Sequence, residues 1–158
     1  MLLVVDIDGI LAELTDKQKH FLKTREGNWD DNFYKYLPEQ KLIEDHLHVV
    51  KTFWSSHQHV VFSTGRSEKY RSETMSWLEK NLEINIYSDS TVQMRKEGDI
   101  RRAKYVKADN LLNIFYRFRL KSRVVKFALE DQESCKKIYR YNGFYILNKN
   151  SLEKEFET

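Results

Sequence analysis

Apolar residues in this chain come in short bursts separated by amphipathic stretches. Leu2-Leu3-Val4-Val5 runs directly into Asp6, the pattern of a parallel strand buried on both faces of a sheet. Residues 9–37 show no clean period but hold Phe21, Trp29, Phe33, Tyr34 and Tyr36. Pro38 stands where a helix can begin, and Leu42, Ile43, Leu47, Val50 and Trp54 follow at helical spacing. HVVFST (59–64) reads as a second buried strand ended by Gly65, and 68–82 as a helix with Tyr70, Met75, Trp77 and Leu78 for its core face. The third strand is either INIY (84–87) or TVQM (91–94), and the second is preferred because it leads into a polar loop, as the other strands do. A long helix over 99–119 follows, with Asp99 as its N-cap. Then come a strand at VVKFALE (124–130), a helix to Tyr141 stopped by Gly143, and a last strand at FYIL (144–147).

Strands alternating with helices predict an α/β architecture with a central, mainly parallel sheet and right-handed crossovers. The length, 158 residues, fits one domain over 1–150, with about 10–37 as a small insertion and 151–158 as a tail. A single Pro and five Gly leave little room for linkers. The apolar run after Met1 is too short for a secretory or membrane segment, so no membrane association and a cytoplasmic location are expected. Cys135 is the only cysteine, which excludes an intramolecular disulfide; its helical context favours a buried structural thiol.

Net charge is +3, unevenly spread. Eleven Lys and Arg lie between Arg95 and Lys126, against Glu97, Asp99 and Asp109. Such a lobe suits a phosphate-bearing partner, or is a solvated helix face.

In parallel α/β sheets, ligands bind beyond the carboxyl ends of the strands. Those ends carry Asp6 with Asp8, Thr64 with Arg66, and Glu130 with Asp131, so all six residues are expected at one mouth. Together they fit phosphoryl transfer. A carboxylate such as Asp6 can attack phosphorus to give an acyl phosphate, dividing one displacement into two. A second carboxylate, Asp8, can protonate the leaving alkoxide and later activate water. Two anions facing an anionic substrate need a hard cation such as Mg²⁺. Thr64 and the amides of a Gly65 turn can hold phosphoryl oxygens, and Arg66 offers a planar fork for phosphate. Lys107, on the long helix, can screen the nucleophile.

The series DIDG, STGR, a helix lysine and an acidic pair after a strand resembles the haloacid dehalogenase (HAD) superfamily of phosphatases. VQMRKEGDIRRAKYVK followed by VVKFALEDQESCKKIYRYNGFYIL is similar to the phosphatase domain of bacteriophage polynucleotide kinase-phosphatase, and KHFLKTREGNWDDNFYKYL to the insertion of small phage phosphatases of that group. The resemblance implies a three-layer, Rossmann-like HAD fold with a minimal cap insertion, and, for a phage-encoded chain, the host cytoplasm. It implies Asp6 as nucleophile, Asp8 as general acid/base, and Thr64 and Lys107 holding the phosphoryl group. It further implies Arg66 and Arg95 on the substrate, and Mg²⁺ held by Asp6, Asp8 (also through its carbonyl) and Asp131, with Glu130 beside them. Three positions depart from the family: Ile10 stands for Thr, Glu130 for Asp, and Ala103 for an acid that serves as the lysine's partner. The function expected is removal of 3′-phosphates from polynucleotide ends. Alternatives are a (deoxy)nucleotide monophosphatase, or a binding or assembly protein with a vestigial site. Trp29 and Phe33 are core aromatics or stack on a base. No kinase P-loop pattern is present, so a kinase or ligase partner would be a separate protein.

Overall fold

Residues 1–25, 27, 29–119 and 123–148 are described by the computed structural model, with the backbone alone for Trp29. The tail 151–158, Lys121 and a stacking role for the Trp29 side chain therefore lie outside the described residues. After β1 (Leu2–Val5), the insertion contributes α1 (Asp16–Thr24) and the short α2 (Trp29–Tyr34). The rest of the chain alternates: α3 (Leu47–Ser55), β2 (His59–Ser67), α4 (Arg71–Leu82), β3 (Val92–Arg95), α5 (Ala103–Phe118), β4 (Lys126–Leu129), α6 (Glu133–Tyr141) and β5 (Phe144–Ile146).

The five strands form one sheet in the order β3-β2-β1-β4-β5, and every pairing is parallel, as the alternation of elements predicts. All four residues of β1 are fully buried because β1 has a strand on each side and helices on both faces. Strand alternation sends Leu3 and Val5 to one face, against Val49, Val50, Trp77, Leu78 and Leu82 of α3 and α4. Leu2 and Val4 face the other way, against Leu111 and Ile114 of α5 and Tyr139 of α6. The chain builds outward from β1 to β3 and then crosses back to β4, on the far side of β1. Strand order thus reverses between β1 and β4, where crevices form at the carboxyl ends. Asp6 is the first residue beyond β1 at that reversal.

Several boundaries differ from the sequence reading, each for a local reason. No helix starts at Pro38. Residues 37–39 make one 3₁₀ turn, and the chain then runs antiparallel to the segment after Asp8, with Glu13 N–H bonded to Lys41 O at 2.8 Å and Ile43 N–H to Leu11 O at 2.7 Å. The helical spacing of Leu42 and Ile43 is therefore incidental, and α3 begins at Leu47. Gly65 does not end the second strand: β2 continues to Ser67 through a shift of register against β3 between Ser63 and Ser67. There β2 advances four residues, Ser63 to Ser67, while β3 advances two, Gln93 to Arg95; an irregularity of this kind re-aims side chains beside a site. Asp99 does not cap α5, which starts at Ala103, because its carboxylate is bound to the backbone and guanidinium of Arg101. Cys135 is fully buried, as expected, and burial pushes its thiol up to about 11. Among the described residues no helix is long and apolar enough to cross a membrane.

Leu78 is fully buried in the cluster around β1, whereas Leu112 is 67% exposed on α5. Leu78→Ala is expected to cost about 2–5 kcal/mol in denaturant unfolding. Leu112→Ala should stay within about 0.5 kcal/mol of the wild type.

Candidate active site

Beyond β1 the chain turns back on itself, with the Leu11 and Ala12 N–H groups both bonded to Ile7 O. Gly9 sits in this turn at φ 86°, a conformation that L side chains rarely adopt. A Cβ there would also stand 2.2 Å from Asp131 Oδ2. The turn is therefore closed over the acid that follows β4, and only glycine fits.

Asp6 is buried, and its Oδ1 accepts both the Ile7 N–H at 2.8 Å and Lys107 Nζ at 2.7 Å. Those two bonds fill the lone pairs of Oδ1, so any further partner of the carboxylate meets Oδ2. Lys107, carried by α5, is 3% exposed and places its ammonium between three oxygens: Asp6 Oδ1, Ser63 O at 2.6 Å and Glu130 Oε2 at 2.9 Å. The lysine is thus partnered by Glu130, although Ala103 offers no acid. Glu130 Oε1 in turn accepts the N–H groups of Asp131 and Gln132, both at 3.1 Å.

Asp6, Glu130 and Asp131 each bring a carboxylate oxygen into a cluster whose members lie within 4.8 Å of one another. Three carboxylates around one ammonium leave an excess of negative charge. Burial, and after it the charge of Glu130, pushes Asp6 well above the usual carboxylate range despite the pull of Lys107. Burial likewise raises Asp131, with Glu130 adding to it. Burial would raise Glu130 too, but the charge and hydrogen bond of Lys107, with the hydrogen bond from Gln132 N–H, together outweigh it and hold the group down. Lys107 would be lowered by burial; Asp6 and Glu130 more than reverse that and keep it protonated. An all-oxygen, electron-rich cluster of this kind fits a hard divalent cation such as Mg²⁺. The Asp8 side chain is not among the clustered carboxylates.

Asp8 instead turns toward Arg66. The guanidinium grips it bidentately, Nε on Oδ2 at 2.9 Å and Nη2 on Oδ1 at 2.8 Å. Burial would raise the Asp8 carboxyl, but the charge and hydrogen bonds of Arg66, then that of Gln40, bring it below the ordinary value. Arg66 also donates to Thr74 Oγ1 at 3.3 Å and to Gln40 Oε1 at 2.9 Å, and its side chain is only 1% exposed. The sequence reading gave Arg66 to the substrate. The structure turns it inward, because Asp8 takes two of its five N–H donors and Gln40 and Thr74 one each.

Thr64 is buried at the register shift in β2, where its Oγ1 accepts the Arg66 N–H at 3.1 Å and its own O–H remains to donate. Arg95 closes β3, with Nε on Gly65 O at 2.8 Å and Nη1 on Asp99 O at 3.1 Å and on Arg101 O. Its Nη2 lies beside the Gly65 turn, 3.6 Å from where a Gly65 Cβ would stand. Two residues that sequence reasoning missed hold this frame. Asn110, one helical turn after Lys107, donates to Ser63 Oγ at 3.0 Å and Gln93 O at 3.2 Å, fixing α5 to β2 and β3. Its place on the buried face with Lys107 was a usable signal. Gln40, in an irregular segment after Pro38, gave none.

Asp6, Asp8, Thr64, Arg66, Lys107 and Asp131 line a cavity of about 960 Å³, near the upper end of the ~300–1,000 Å³ usual for ligand sites. Leu14, Leu22, Phe33 and Tyr34 of the insertion form one wall, and Arg95, Lys96, Arg102 and Lys104 the other. The insertion rests on the end of β2: Tyr34 Oη accepts the Ser67 N–H at 3.1 Å, the Tyr34 and Tyr70 rings stack at 4.0 Å, and Asp31 binds Lys69 at 2.9 Å. Phe33 is buried, its ring edge-on to Tyr34. Arg101 is engaged with Asp99 and Asp109.

A parallel sheet that reverses order between β1 and β4, with paired aspartates closing its first strand, is the α/β fold of the HAD class. The sequence matches the family profile described as the polynucleotide kinase PNKP phosphatase domain over residues 1–151, and the chain belongs to that family. A chain of the solved Pnkp1/Rnl/Hen1 RNA repair complex shares the fold with a TM-score of 0.61 and 19% identity, covering 93% of this chain and 42% of that one. A second solved Pnkp1/Rnl/Hen1 complex gives a TM-score of 0.64 and 20% identity, over 93% of this chain and 45% of the other. This chain therefore spans less than half the length of those chains. Among curated proteins none matches.

Binding of Mg²⁺ at Asp6, Glu130 and Asp131 would stabilise the folded state by mass action. Millimolar Mg²⁺ should raise the Tm of the wild type in a thermal melt, and Asp131→Asn should abolish most of that rise. An equal rise in the variant would place the cation elsewhere.

Proposed function

We propose that this chain is a Mg²⁺-dependent phosphomonoesterase that works through an aspartyl-phosphate on Asp6 and removes 3′-phosphates from polynucleotide ends. The observation that carries the reading is Asp6 itself: it lines the cavity, and Lys107 and Ile7 N–H hold one of its oxygens, so the other is the one that meets a cation or substrate. In its ionised form that oxygen attacks phosphorus, forming the Asp6–phosphorus bond as the ester P–O bond breaks; Lys107, and a cation once bound, would favour ionisation against the burial that raises Asp6. Asp8 enters the step protonated, against the pull of Arg66, and gives that proton to the leaving alkoxide, which departs as an alcohol. The Asp8 carboxylate then takes a proton from water, whose oxygen attacks phosphorus. The Asp6–phosphorus bond breaks, releasing inorganic phosphate and restoring both aspartates.

Thr64 donates its O–H to a phosphoryl oxygen, and Arg95 Nη2 reaches the same group from beside Gly65. Arg66 serves the substrate at one remove, by aiming Asp8. Asp6 and Asp131 would hold the cation, with Glu130 and the Asp8 carbonyl at its edge; once bound, it would neutralise charge between nucleophile and phosphate. A polymer end is favoured over a free mononucleotide by the size of the cavity and its basic wall of Lys96, Arg102 and Lys104. The repair complexes that contain the fold neighbours support assembly with separate repair proteins, a kinase or ligase among them.

Asp6→Asn should lose at least ~10³-fold in kcat on any phosphomonoester, since no nucleophile replaces the carboxylate. Retention of near wild-type turnover would end the proposal. On a 3′-phosphorylated oligonucleotide, kcat/KM should exceed that on the matching mononucleotide and fall more steeply with salt, by a logarithmic slope of about 0.7 per flanking phosphate engaged. Replacing both Arg102 and Lys104 by Ala should reduce that difference. Parallel salt slopes for the two substrates would instead identify a nucleotidase.

A further inference from the structure

Gln40 is 4% exposed and lies at the neck of the insertion, where residues 41–43 pair with residues 11–13. Its backbone carbonyl accepts the Trp77 indole N–H at 3.1 Å, which ties it to α4. Its side-chain amide reads two opposite charges at once. Nε2 donates to Asp8 Oδ1 at 2.9 Å, and Oε1 accepts Arg66 Nη2 at 2.9 Å. Only an amide offers a donor and an acceptor in this fixed relation, so both charges lock its orientation. Leu or Met would leave these two contacts empty, along with the one from Nε2 to Glu13 O at 3.4 Å, and Glu would set a like charge against Asp8.

The distribution of bonds on Asp8 gives this contact a purpose. Oδ1 accepts from Gln40 Nε2 and Arg66 Nη2, which fills both of its lone pairs. Oδ2 accepts only Arg66 Nε and keeps one lone pair. The Asp8 side chain is 23% exposed, so that lone pair is accessible to a proton or a water at the cavity. Arg66 alone would leave the two oxygens equivalent, with one bond each. Gln40 makes them unequal.

We propose that Gln40 is a positioning residue for the general acid/base: it occupies Asp8 Oδ1 and thereby assigns proton transfer to Oδ2, at the orientation set by the neck of the insertion. This rests on the reading of Asp8 as the group that protonates the leaving alkoxide. It predicts dependence on the leaving group. A ribose alkoxide must be protonated to leave, whereas p-nitrophenolate departs as an anion and needs no proton from Asp8. A residue that merely supports the fold would affect both reactions alike.

The test compares a 3′-phosphorylated oligonucleotide with p-nitrophenyl phosphate, each with Mg²⁺, in wild type, Gln40→Met and Gln40→Glu. The quantity read is kcat/KM, which covers the steps up to departure of the leaving group and leaves out hydrolysis of the aspartyl-phosphate, where Asp8 is the base for both substrates. The expected result is a fall in kcat/KM on the oligonucleotide about 10- to 100-fold larger than that on p-nitrophenyl phosphate, part of the ~10²–10⁴-fold that a general acid supplies. The ratio of the two values within one preparation does not depend on the fraction of protein folded, so a destabilised variant still reports. Equal losses on both substrates, or no change in the ratio, would each overturn the proposal. A wild type inactive on both substrates would instead remove the phosphatase reading beneath it.

Discussion

The ammonium of Lys107 is the contact on which the site depends. All three of its N–H donors are engaged, by Asp6 beyond β1, by the Ser63 carbonyl in β2 and by Glu130 beyond β4. Three adjacent strands and α5 thus meet at one buried charge. Such a group is stable only while its partners stay in place, since an unpaired charge in the interior costs several kcal/mol. The hydrophobic layers on the two faces of β1 bring the partners together, and Asn110 holds α5 at the height that lets the lysine reach them. Electrostatics then works against the assembly, because three carboxylates exceed what one ammonium can neutralise. That imbalance makes the cluster receptive to a cation.

The two aspartates share a design despite their different surroundings. Each has one oxygen filled by two donors, Ile7 N–H and Lys107 on Asp6, Gln40 and Arg66 on Asp8. Each keeps a second oxygen with capacity to spare. Their charges are tuned in opposite directions, Asp6 upward by burial and by crowding with Glu130, Asp8 downward by Arg66. The two acids of DxDG are therefore distinguished by what the fold packs behind them, not by their own chemistry.

The sheet was legible because buried parallel strands write themselves as apolar runs; LLVV and VVF are uninterrupted, and VVKFAL before Glu130 is broken only by Lys126. The gathering of Asp6, Thr64, Glu130 and Asp131 followed from the rule that strand ends share a mouth, whereas Lys107, on a helix, was legible only through the family resemblance. What escaped was set by contacts with no local pattern. The direction of Arg66 depends on Gln40 and Thr74, distant from it in sequence by 26 and 8 residues. The extension of β2 past Gly65 depends on its register with β3. The incidental helical spacing of Leu42 and Ile43 conceals a short antiparallel pairing that only the closed neck creates. Asp99 had the residue type of a cap, but Arg101 claimed its carboxylate first.

That neck carries a consequence for how such a protein can change. Leu11 to Glu13 and Lys41 to Ile43 pin the insertion at both ends, so the segment between them is a closed loop hung from a fixed base. Lengthening a loop whose ends are already held costs little, about 0.6 kcal/mol for each doubling. Descendants of this chain can therefore acquire larger or smaller coverings over the cavity, and so new substrates, while the spacing of the two aspartates stays as it is. The same economy sets a boundary on that freedom: residue 40 belongs to the base and not to the covering, and an exchange of loops that crosses it takes part of the chemistry away with the part being replaced.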